Sequence, residues 1–230
     1  MISILVPTLN EAKNIPRLIK TLNNFKYKYE LIIIDDNSID NTDQIINKFL
    51  NKKIKFLKRV EIKRDLSKSV MLGAENAKYK HVLVLDCDLQ HDITDANLMF
   101  KKLLEDNLDI VIGSRFYKKK YSGNLGFFRS FFSLVFIFFI NIFLSQKSSD
   151  PLSGFFVCEK KLLTKYKKNF YLEGYKILFD IIYNGKQNIE IKDLQIRFQK
   201  RIYGKSKLNF KIVKIFLKQF CYSYFRRVFK

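Results

Sequence analysis

The chain has 230 residues, 47% of them hydrophobic, so it is long enough to bury the core of one sizeable domain or two small ones. Its 43 Lys and Arg against 22 Asp and Glu give a net charge of +21, which favours anionic partners such as phosphorylated small molecules, nucleic acid or an acidic membrane surface. Three cysteines are too few, and odd in number, for a disulfide framework, which favours a reducing, cytoplasm-facing environment.

Short apolar runs alternate with helical patterns over the first 115 residues. The first run has no basic region before it and predicts a strand rather than a secretion signal. Strands are predicted over residues 2–8, 29–36, 54–59, 81–86 and 109–115. Helices are predicted over residues 10–25, 40–50, 69–77 and 94–106. This order is typical of an α/β fold with a mostly parallel sheet covered on both faces, and nothing in the sequence marks a domain boundary within residues 1–230.

Residues 127–145 form an aromatic and aliphatic segment. Its uninterrupted part, from Phe131, covers about 14 residues, or roughly 21 Å as a helix, against a hydrocarbon core of roughly 30 Å. Its polar residues fall at multiples of four and share one helical stripe: Arg129, Ser133, Asn141 and Ser145. We interpret the segment as a helix at a membrane interface, with a transmembrane helix and a plain core helix as the alternatives.

The C-terminal segment, residues 208–229, repeats this theme. Lys211, Lys214 and Lys218 share one helical face among Phe, Ile, Leu and Tyr, and from Lys186 onward 13 basic against 2 acidic residues give a local charge of +11. A basic helix with an aromatic-rich apolar face suits an anionic bilayer. The alternative is a solvated basic face on a helix that closes the core.

Acidic residues follow three of the predicted strands. Glu11 comes after the first, Asp35 and Asp36 after the second, and Asp86 and Asp88 after the strand over residues 81–86. Ligands of open α/β sheets bind beyond the carboxyl ends of the strands. We therefore expect these carboxylates to converge on one rim of the sheet and to form the functional site.

The spacing of Asp86, Asp88 and Gln90 indicates a metal site. Two carboxylates held close together repel unless a cation or a proton lies between them, and hard oxygen ligands suit Mg²⁺ or Mn²⁺ bound jointly with substrate phosphates. The structural alternative is a helix N-cap made by Asp88 or Asp92.

Six motifs in order carry a resemblance over nearly the whole chain. They are "VPTLNEAKNI", "IIIDDNSIDNT", "LDCDLQHD", "GSRF", "DPLSGFF" and "RIYGKSKL". Together they resemble the family 2 glycosyltransferases, specifically dolichyl-phosphate mannose synthases and bacterial polyprenyl-phosphate glycosyltransferases. The resemblance implies a single GT-A type domain that binds a nucleotide sugar, a divalent ion and a polyprenyl phosphate, and that lies peripherally on the cytoplasmic face of a membrane.

The resemblance also implies the roles of individual residues. Nucleotide-sugar binding is assigned to Pro7, Leu9, Glu11, Asp35, Asp36, Asp86, Cys87, Asp88, Gln90 and Arg201. The metal is assigned to Asp86, Asp88 and Gln90, the acceptor phosphate to Arg115, Arg129, Ser133 and Lys207, and catalysis to Asp88, Arg115 and Arg201. Two positions depart from the family pattern: Cys87 stands where the family usually has alanine, and Lys205 stands where it usually has glutamate.

The implied reaction is the transfer of a hexose, mannose from GDP-mannose in the first instance, with inversion of the anomeric centre. A phosphate acceptor is already anionic at neutral pH and needs no general base, so His81 and His91 need no catalytic role and His91 is expected to support or cap. The alternatives are UDP-glucose or another donor, a soluble glycan acceptor, and a catalytically silent membrane-binding scaffold. Nucleic acid is not expected, because the basic C-terminus carries no reading motif.

Overall fold

The computed structural model describes residues 1–61, 64–116, 127–144, 147–201, 203 and 210–229, with backbone alone at 127–129 and 210. Its strands are β1 (Ile2–Thr8), β2 (Tyr29–Asp35), β3 (Ile54–Lys58), β4 (His81–Val84), β5 (Ile110–Ser114), β6 (Phe156–Glu159) and β7 (Ile191–Gln195). Its α-helices are α1 (Ile15–Leu22), α2 (Thr42–Asn47), α3 (Leu66–Glu75), α4 (Ile93–Glu105), α5 (Phe127–Leu144), α6 (Lys160–Thr164), α7 (Ile177–Asn184) and α8 (Phe210–Val228).

The strands form one sheet in the order β3-β2-β1-β4-β6-β5-β7. The pairs β1–β2, β1–β4, β2–β3 and β5–β7 are parallel, and β6 is antiparallel to both of its neighbours. The predicted α/β class with a mostly parallel sheet is confirmed. The prediction covered the five strands before residue 116 and did not include β6 and β7.

Helix boundaries differ from the predicted ones for local reasons. The helix predicted over 10–25 begins at Ile15, because the chain first makes a turn in which Asn14 N donates to Glu11 O over 2.9 Å. The helix predicted over 69–77 begins earlier, at Leu66, because the Asp65 side chain accepts a hydrogen bond from Lys68 N and caps it.

The sheet separates two hydrophobic clusters, because successive side chains of a strand point to opposite faces. In β2, Leu31 and Ile33 belong to one cluster, and Ile32 and Ile34 to the other. The first cluster includes buried side chains of α1, α2 and α4, and the second includes those of α3, α6 and α7. Helices therefore cover both faces and leave the carboxyl ends of the parallel strands as a rim.

Helix α5 turns its aromatic side outward. Ile137, Ile140 and Leu144 are buried, whereas the exposed large apolar side chains of the helix are Phe131, Phe132, Leu134, Phe138, Phe139, Ile142 and Phe143. Ser133 and Asn141, from the predicted polar stripe, are half-buried and share the helical face of Ile137. The described part of the polar stripe, Ser133 and Asn141, thus faces the protein. Of the residues that the structure describes, none forms a helix long and apolar enough to cross a membrane.

Helix α8 packs beside α5. Phe216 meets Phe136 edge-on with ring centroids 4.8 Å apart, and Tyr224 meets Phe143 at 5.8 Å. The lysines predicted to share one face are all exposed: Lys211, Lys214 and Lys218. The two helices therefore present an outer surface on which aromatic and basic side chains lie together. We call the exposed side chains of α5 and α8 the outer surface. They include Phe131, Phe138, Ile142, Lys211, Lys214, Lys218 and Phe225.

Candidate functional site

Three neighbouring parallel strands, β2, β1 and β4, end at a common rim. A cavity of about 190 Å³ lies there and is called the rim cavity below. The predicted site residues that line it are Pro7, Leu9, Glu11, Asp36, Asp86, Cys87, Asp88, Gln90, Arg115 and Arg201. The structure therefore brings together side chains that are as far apart in the chain as Pro7 and Arg201, and their individual roles in binding stay predictions.

Four other predicted site residues are not placed at the cavity. Asp35 lies fully buried behind it, where it accepts hydrogen bonds from Ser38 N over 2.9 Å and Ser38 Oγ over 2.5 Å and so holds the loop after β2. Ser133 is half-buried on α5 and is not among the lining residues. The Arg129 side chain and Lys207 lie outside the described residues, as does Lys205.

A buried ion pair fixes Asp36 at the rim. Arg59, 5% exposed, forms an ion pair with Asp36 and donates to Asp65 O over 2.9 Å. Asp65 N donates to the second Asp36 oxygen over 2.6 Å, and Gly174 N donates to Asp65 Oδ2 over 2.7 Å. Burial raises the pKa of Asp36 despite the opposing charge of Arg59. These contacts tie the ends of β2 and β3 to the start of α3.

Asp86 and Asp88 follow β4 directly and face the rim cavity. Gly154 makes room for Asp86, because a Cβ at this glycine would lie 3.3 Å from Asp86 Oδ2. Asp88 is buried, and its pKa is raised by burial and by the negative charge of Asp86. The negative charge of Asp86 therefore disfavours the charged form of Asp88, and a cation beside the two carboxylates would relieve this.

Arg201 supplies one such positive charge. Its Nη2 donates to Asp88 Oδ2 over 2.5 Å and approaches Gln90 Oε1 at 3.5 Å. Gln90 Nε2 donates to Gln199 O over 2.9 Å. Arg201 and Gln90 thus lie beside Asp88 although the chain between them is more than 100 residues long, and the segment around Gln199 is fastened to the loop after β4.

Of the two residues in the capping alternative, Asp92 is the helix cap, whereas Asp88 accepts from Gln90 N over 3.2 Å in the turn before the helix. The Asp92 side chain accepts from Thr94 N over 2.8 Å and caps α4, so Asp86 and Asp88 are not needed as caps. His91 is not the cap either. Its ring stacks on Phe155 with centroids 4.4 Å apart, and Nε2 lies 3.6 Å from Asp86 Oδ2. His91 therefore packs behind the aspartates, which is the supporting place expected for it.

Arg115 is held by a residue that the sequence prediction did not include. Asp150, fully buried, accepts from Arg115 Nε over 2.7 Å and from Nη2 over 2.8 Å, a two-pronged ion pair. The Arg115 side chain also lies over the rings of Phe116 and Phe198. Its orientation at the cavity wall is therefore fixed. The sequence signal for Asp150 was the "DPLSGFF" motif, whose glycine also makes room for Asp86.

Three further residues at or beside the cavity lay outside the prediction. Tyr175 and Lys176 line it, and Lys176 Nζ donates to Leu152 O over 2.8 Å. Arg59, which fixes Asp36, is the third. Its only signal was a cation at the end of the predicted strand over 54–59, and Tyr175 and Lys176 had no local signal at all.

The residues present fit a divalent ion. Carboxylate and amide oxygens are the ligands that Mg²⁺ and Mn²⁺ prefer, and one or two carboxylates suffice when substrate phosphates supply the remaining ligands. In the described part of the chain, no group of three or more His, Cys, Asp or Glu is arranged to hold a metal by itself. The donor set of Asp86, Asp88 and Gln90 therefore suits an ion that shares its ligands with a bound diphosphate.

Comparison with known sequences decides the family. The sequence model of "Glycosyl transferase family 2" matches residues 3–167. The chain belongs to this family. The match extends from β1 through β6 and so includes the ends of β1, β2 and β4, where the rim cavity lies.

Two relatives show sequence similarity to this chain beyond the family match. The dolichol-phosphate mannosyltransferase of Pyrococcus furiosus is 30% identical over 237 residues, which cover 100% of this chain and 63% of that protein. An uncharacterized protein of Methanocaldococcus jannaschii is 38% identical over 120 residues, 50% of this chain and 52% of its own length. The chain thus spans between half and two thirds of the lengths of these two relatives.

The solved structure is glucosyl-3-phosphoglycerate synthase of Mycobacterium tuberculosis in complex with Mn²⁺ and UDP-glucose. It superposes with a TM-score of 0.73 at 14% identity, over 97% of this chain and 79% of that one. At this identity the likeness concerns the fold, and it agrees with the predicted GT-A type.

Proposed function

We propose that this family 2 glycosyltransferase moves a hexose, mannose from GDP-mannose in the first instance, onto a polyprenyl phosphate at the cytoplasmic surface of a membrane. The observation that carries the proposal is the rim cavity, where Asp36, Asp86, Asp88 and Arg201 line one space at the ends of three parallel strands. The relative from Pyrococcus furiosus, named for dolichol phosphate and mannose, supports the choice of acceptor and sugar.

The donor is bound by groups that differ in charge along the cavity. Asp36, fixed by Arg59, is placed to accept hydrogen bonds from the nucleoside, and Arg201 is placed to donate them to the diphosphate. Asp86, Asp88 and Gln90 would hold a divalent ion, which neutralises the negative charge that develops on the departing nucleoside diphosphate. Arg201 now pairs with Asp88, so donor binding redirects a cation that is already in place.

A phosphate acceptor is favoured because Asp150, the carboxylate beside Arg115, is not available as a base for a hydroxyl. Asp150, the acidic residue closest in sequence to the "SGFF" motif, is fully buried and both its oxygens accept from Arg115. A phosphate monoester, with a second pKa of about 6, is largely dianionic at neutral pH and attacks without losing a proton. Direct attack on the anomeric carbon inverts its configuration.

The outer surface of α5 and α8 supports a lipid acceptor. Phe131, Phe138 and Ile142 are each more than half exposed, and Lys211, Lys214 and Lys218 are exposed on the adjacent helix α8. Exposed apolar patches of this kind mark sites of protein or membrane interaction, and basic residues beside them favour anionic bilayers. A membrane surface at this place would deliver the prenyl chain.

A donor panel tests the proposal. Purified protein is incubated with a short polyprenyl phosphate, Mg²⁺ or Mn²⁺, and labelled GDP-mannose, UDP-glucose or UDP-mannose, and label in the organic phase is counted. We expect GDP-mannose to give the highest turnover. UDP-glucose, a ligand of the solved Mycobacterium structure, is the competing donor. If the enzyme prefers it, the transferred sugar is glucose and the proposed transfer to a polyprenyl phosphate is unchanged. Transfer to a soluble glycan alone would contradict the acceptor.

A further inference from the structure

A second cavity, of about 250 Å³, lies where α7 ends and the last turn of α8 meets the chain after α5. Four cationic residues line it: Lys147, Lys186, Arg226 and Arg227. It is called the basic cavity below. No lining residue is shared with the rim cavity, so the basic cavity is a separate site.

The charges of this cavity are largely uncompensated. Lys186 pairs with Asp109, with Nζ and Oδ2 2.6 Å apart. In the part of the chain that the structure describes, Lys147, Arg226 and Arg227 have no carboxylate partner. Burial lowers the pKa of Lys147, and the positive charge of Arg227 lowers it further. An anion bound here would relieve this repulsion.

Neutral acceptors hold both guanidinium groups in place. Arg226 Nη1 donates to Asn169 O over 3.1 Å and to the Tyr222 hydroxyl over 3.2 Å, and Arg227 donates to Leu144 O. These bonds fix the orientation of the side chains but leave their charge unmatched. Because an arginine donates through several N–H groups, each can still reach a phosphate oxygen.

The basic cavity adjoins the apolar part of the outer surface. Phe225, Val228 and Phe229 are all more than half exposed and flank the two arginines in the chain. Phe143, exposed on α5, packs against Tyr224 in the same turn of α8. A ligand with a phosphate in the cavity could therefore lay a hydrocarbon chain on these side chains.

Asn184 indicates that the ligand of the basic cavity carries a hydrogen-bond donor. It is 4% exposed and lines the cavity, and its Nδ2 donates to Asp180 Oδ1 and Ser223 Oγ. Its Oδ1 is buried and has no hydrogen-bond partner among the described residues. Since a buried acceptor without a donor is costly, a ligand hydroxyl would satisfy it.

We propose that the basic cavity binds the headgroup of an anionic phospholipid that carries hydroxyls, with phosphatidylglycerol as the simplest example. The phosphate pairs with Lys147, Arg226 and Arg227, and a headgroup hydroxyl donates to Asn184 Oδ1. This inference rests on the proposed membrane surface and adds to it a specific lipid site, distinct from the acceptor site of the rim cavity.

The test compares two triple variants with equal loss of charge. Lys147→Gln/Arg226→Gln/Arg227→Gln removes the three cavity cations that have no carboxylate partner among the described residues, and Lys211→Gln/Lys214→Gln/Lys218→Gln removes three exposed cations of α8. Binding is measured by sedimentation with phosphatidylcholine vesicles with and without phosphatidylglycerol. A diffuse attraction weakens equally in both variants, whereas we expect the cavity variant to lose about tenfold more affinity for the phosphatidylglycerol vesicles.

Two further measurements keep the result interpretable. Lys147→Gln alone removes a side chain with no described hydrogen bond, so it should keep the unfolding midpoint of the wild type and lose about fivefold in affinity. Soluble glycerol phosphate is titrated calorimetrically. Equal losses in the two triple variants, or tight binding of glycerol phosphate with no effect of phosphatidylglycerol in vesicles, would overturn the lipid site.

The assay also separates this inference from the proposed function. In detergent, with a short polyprenyl phosphate, the cavity variant should transfer the hexose as the wild type does, because its residues do not line the rim cavity. If the cavity variant loses more affinity for phosphatidylglycerol vesicles than the α8 lysine variant but the wild type transfers no sugar, the proposed function fails and the lipid site stands. If it transfers sugar and the two triple variants bind alike, the lipid site fails alone.

Discussion

The rim cavity and the outer surface of α5 and α8 use the same types of residue in opposite ways. At the rim, Arg59 pairs with Asp36, Arg115 with Asp150 and Arg201 with Asp88, and all three carboxylates are buried. On the outer surface, basic and aromatic side chains are exposed. Most of these basic side chains have no carboxylate partner among the described residues.

The difference separates two uses of charge. A buried ion pair contributes little net stability but fixes geometry, because removing one partner leaves an uncompensated charge. Exposed cations fix no geometry but attract anionic surfaces over about a Debye length. The rim is therefore suited to recognise a particular ligand, whereas the outer surface is suited to the proposed attachment to an anionic membrane.

The largest effect is expected from Asp88. Asp88→Asn keeps the size of the side chain but removes the charge that pairs with Arg201 and is predicted to hold the divalent ion. Turnover should fall by about 10³-fold or more, measured with saturating donor and acceptor. The matched control is Asp92→Asn, which alters the helix cap four residues further along the chain and keeps a good capping residue. Full activity of Asp88→Asn, or of the wild type in chelator, would refute the metal role.

Arg115→Ala tests the buried side of the comparison through stability. It leaves the fully buried Asp150 carboxylate without its partner, so the free energy of unfolding should drop by about 3–5 kcal/mol. Urea denaturation measures it. Lys58→Ala breaks an ion pair whose two side chains are more than a third exposed, and it should leave the midpoint unchanged. Equal effects of the two substitutions would show that burial does not distinguish the pairs.

The sequence predicts two phosphate sites, with Arg201 at the donor diphosphate and Arg129 at the acceptor phosphate. Arg201→Ala should weaken donor binding or depress turnover by about 10- to 150-fold, because its predicted partner during the reaction is the leaving diphosphate. Arg129→Ala should weaken polyprenyl-phosphate use by a similar factor and leave donor binding unchanged. Steady-state kinetics with each substrate varied, and calorimetric titration of the donor, separate them. An Arg129→Ala protein that loses donor binding but keeps its acceptor affinity would reverse the assignment.

The smallest effect concerns the outer surface. Phe138→Ser/Phe139→Ser removes two exposed rings of α5 and should weaken partition to phosphatidylcholine vesicles by about tenfold, because less apolar area is buried in the bilayer. Leu98→Ser changes an equally exposed apolar residue on α4 and should leave partition unaltered. Indistinguishable partition of both variants would place the membrane contact elsewhere in the protein.

The sequence predicted the first half of the sheet because each strand there is a continuous apolar run between turn residues. It also predicted the rim, since parallel strands of adjacent βα units end on the same side. It did not predict β6, whose four residues form a strand only by pairing in antiparallel fashion with β4 and β5. Strand β7, "IKDLQ", is half-exposed and lacks an apolar run, so it carried no local signal.

The sequence also did not predict which side chains pair when they are distant in the chain, because local patterns carry no information about such contacts. Asp150 lies 35 residues from Arg115, and Arg59 lies 23 residues from Asp36, so only the folded chain shows that they pair. Periodicity located the polar stripe of α5 but did not show which way it faces. That orientation depends on Phe136 and Phe143 packing against α8, about 80 residues further along the chain.

The proposed reaction is the transfer of a hexose at the rim cavity from a nucleotide sugar to a phosphate-bearing lipid, with inversion. The most direct measurement incubates the purified protein with GDP-α-mannose, a short polyprenyl phosphate and Mg²⁺ or Mn²⁺, and determines the anomeric configuration of the extracted lipid product by NMR. We expect a β-linked mannosyl phosphate from the wild type and no such product from Asp88→Asn. An α-linked product, or none with any donor of the panel, would contradict it.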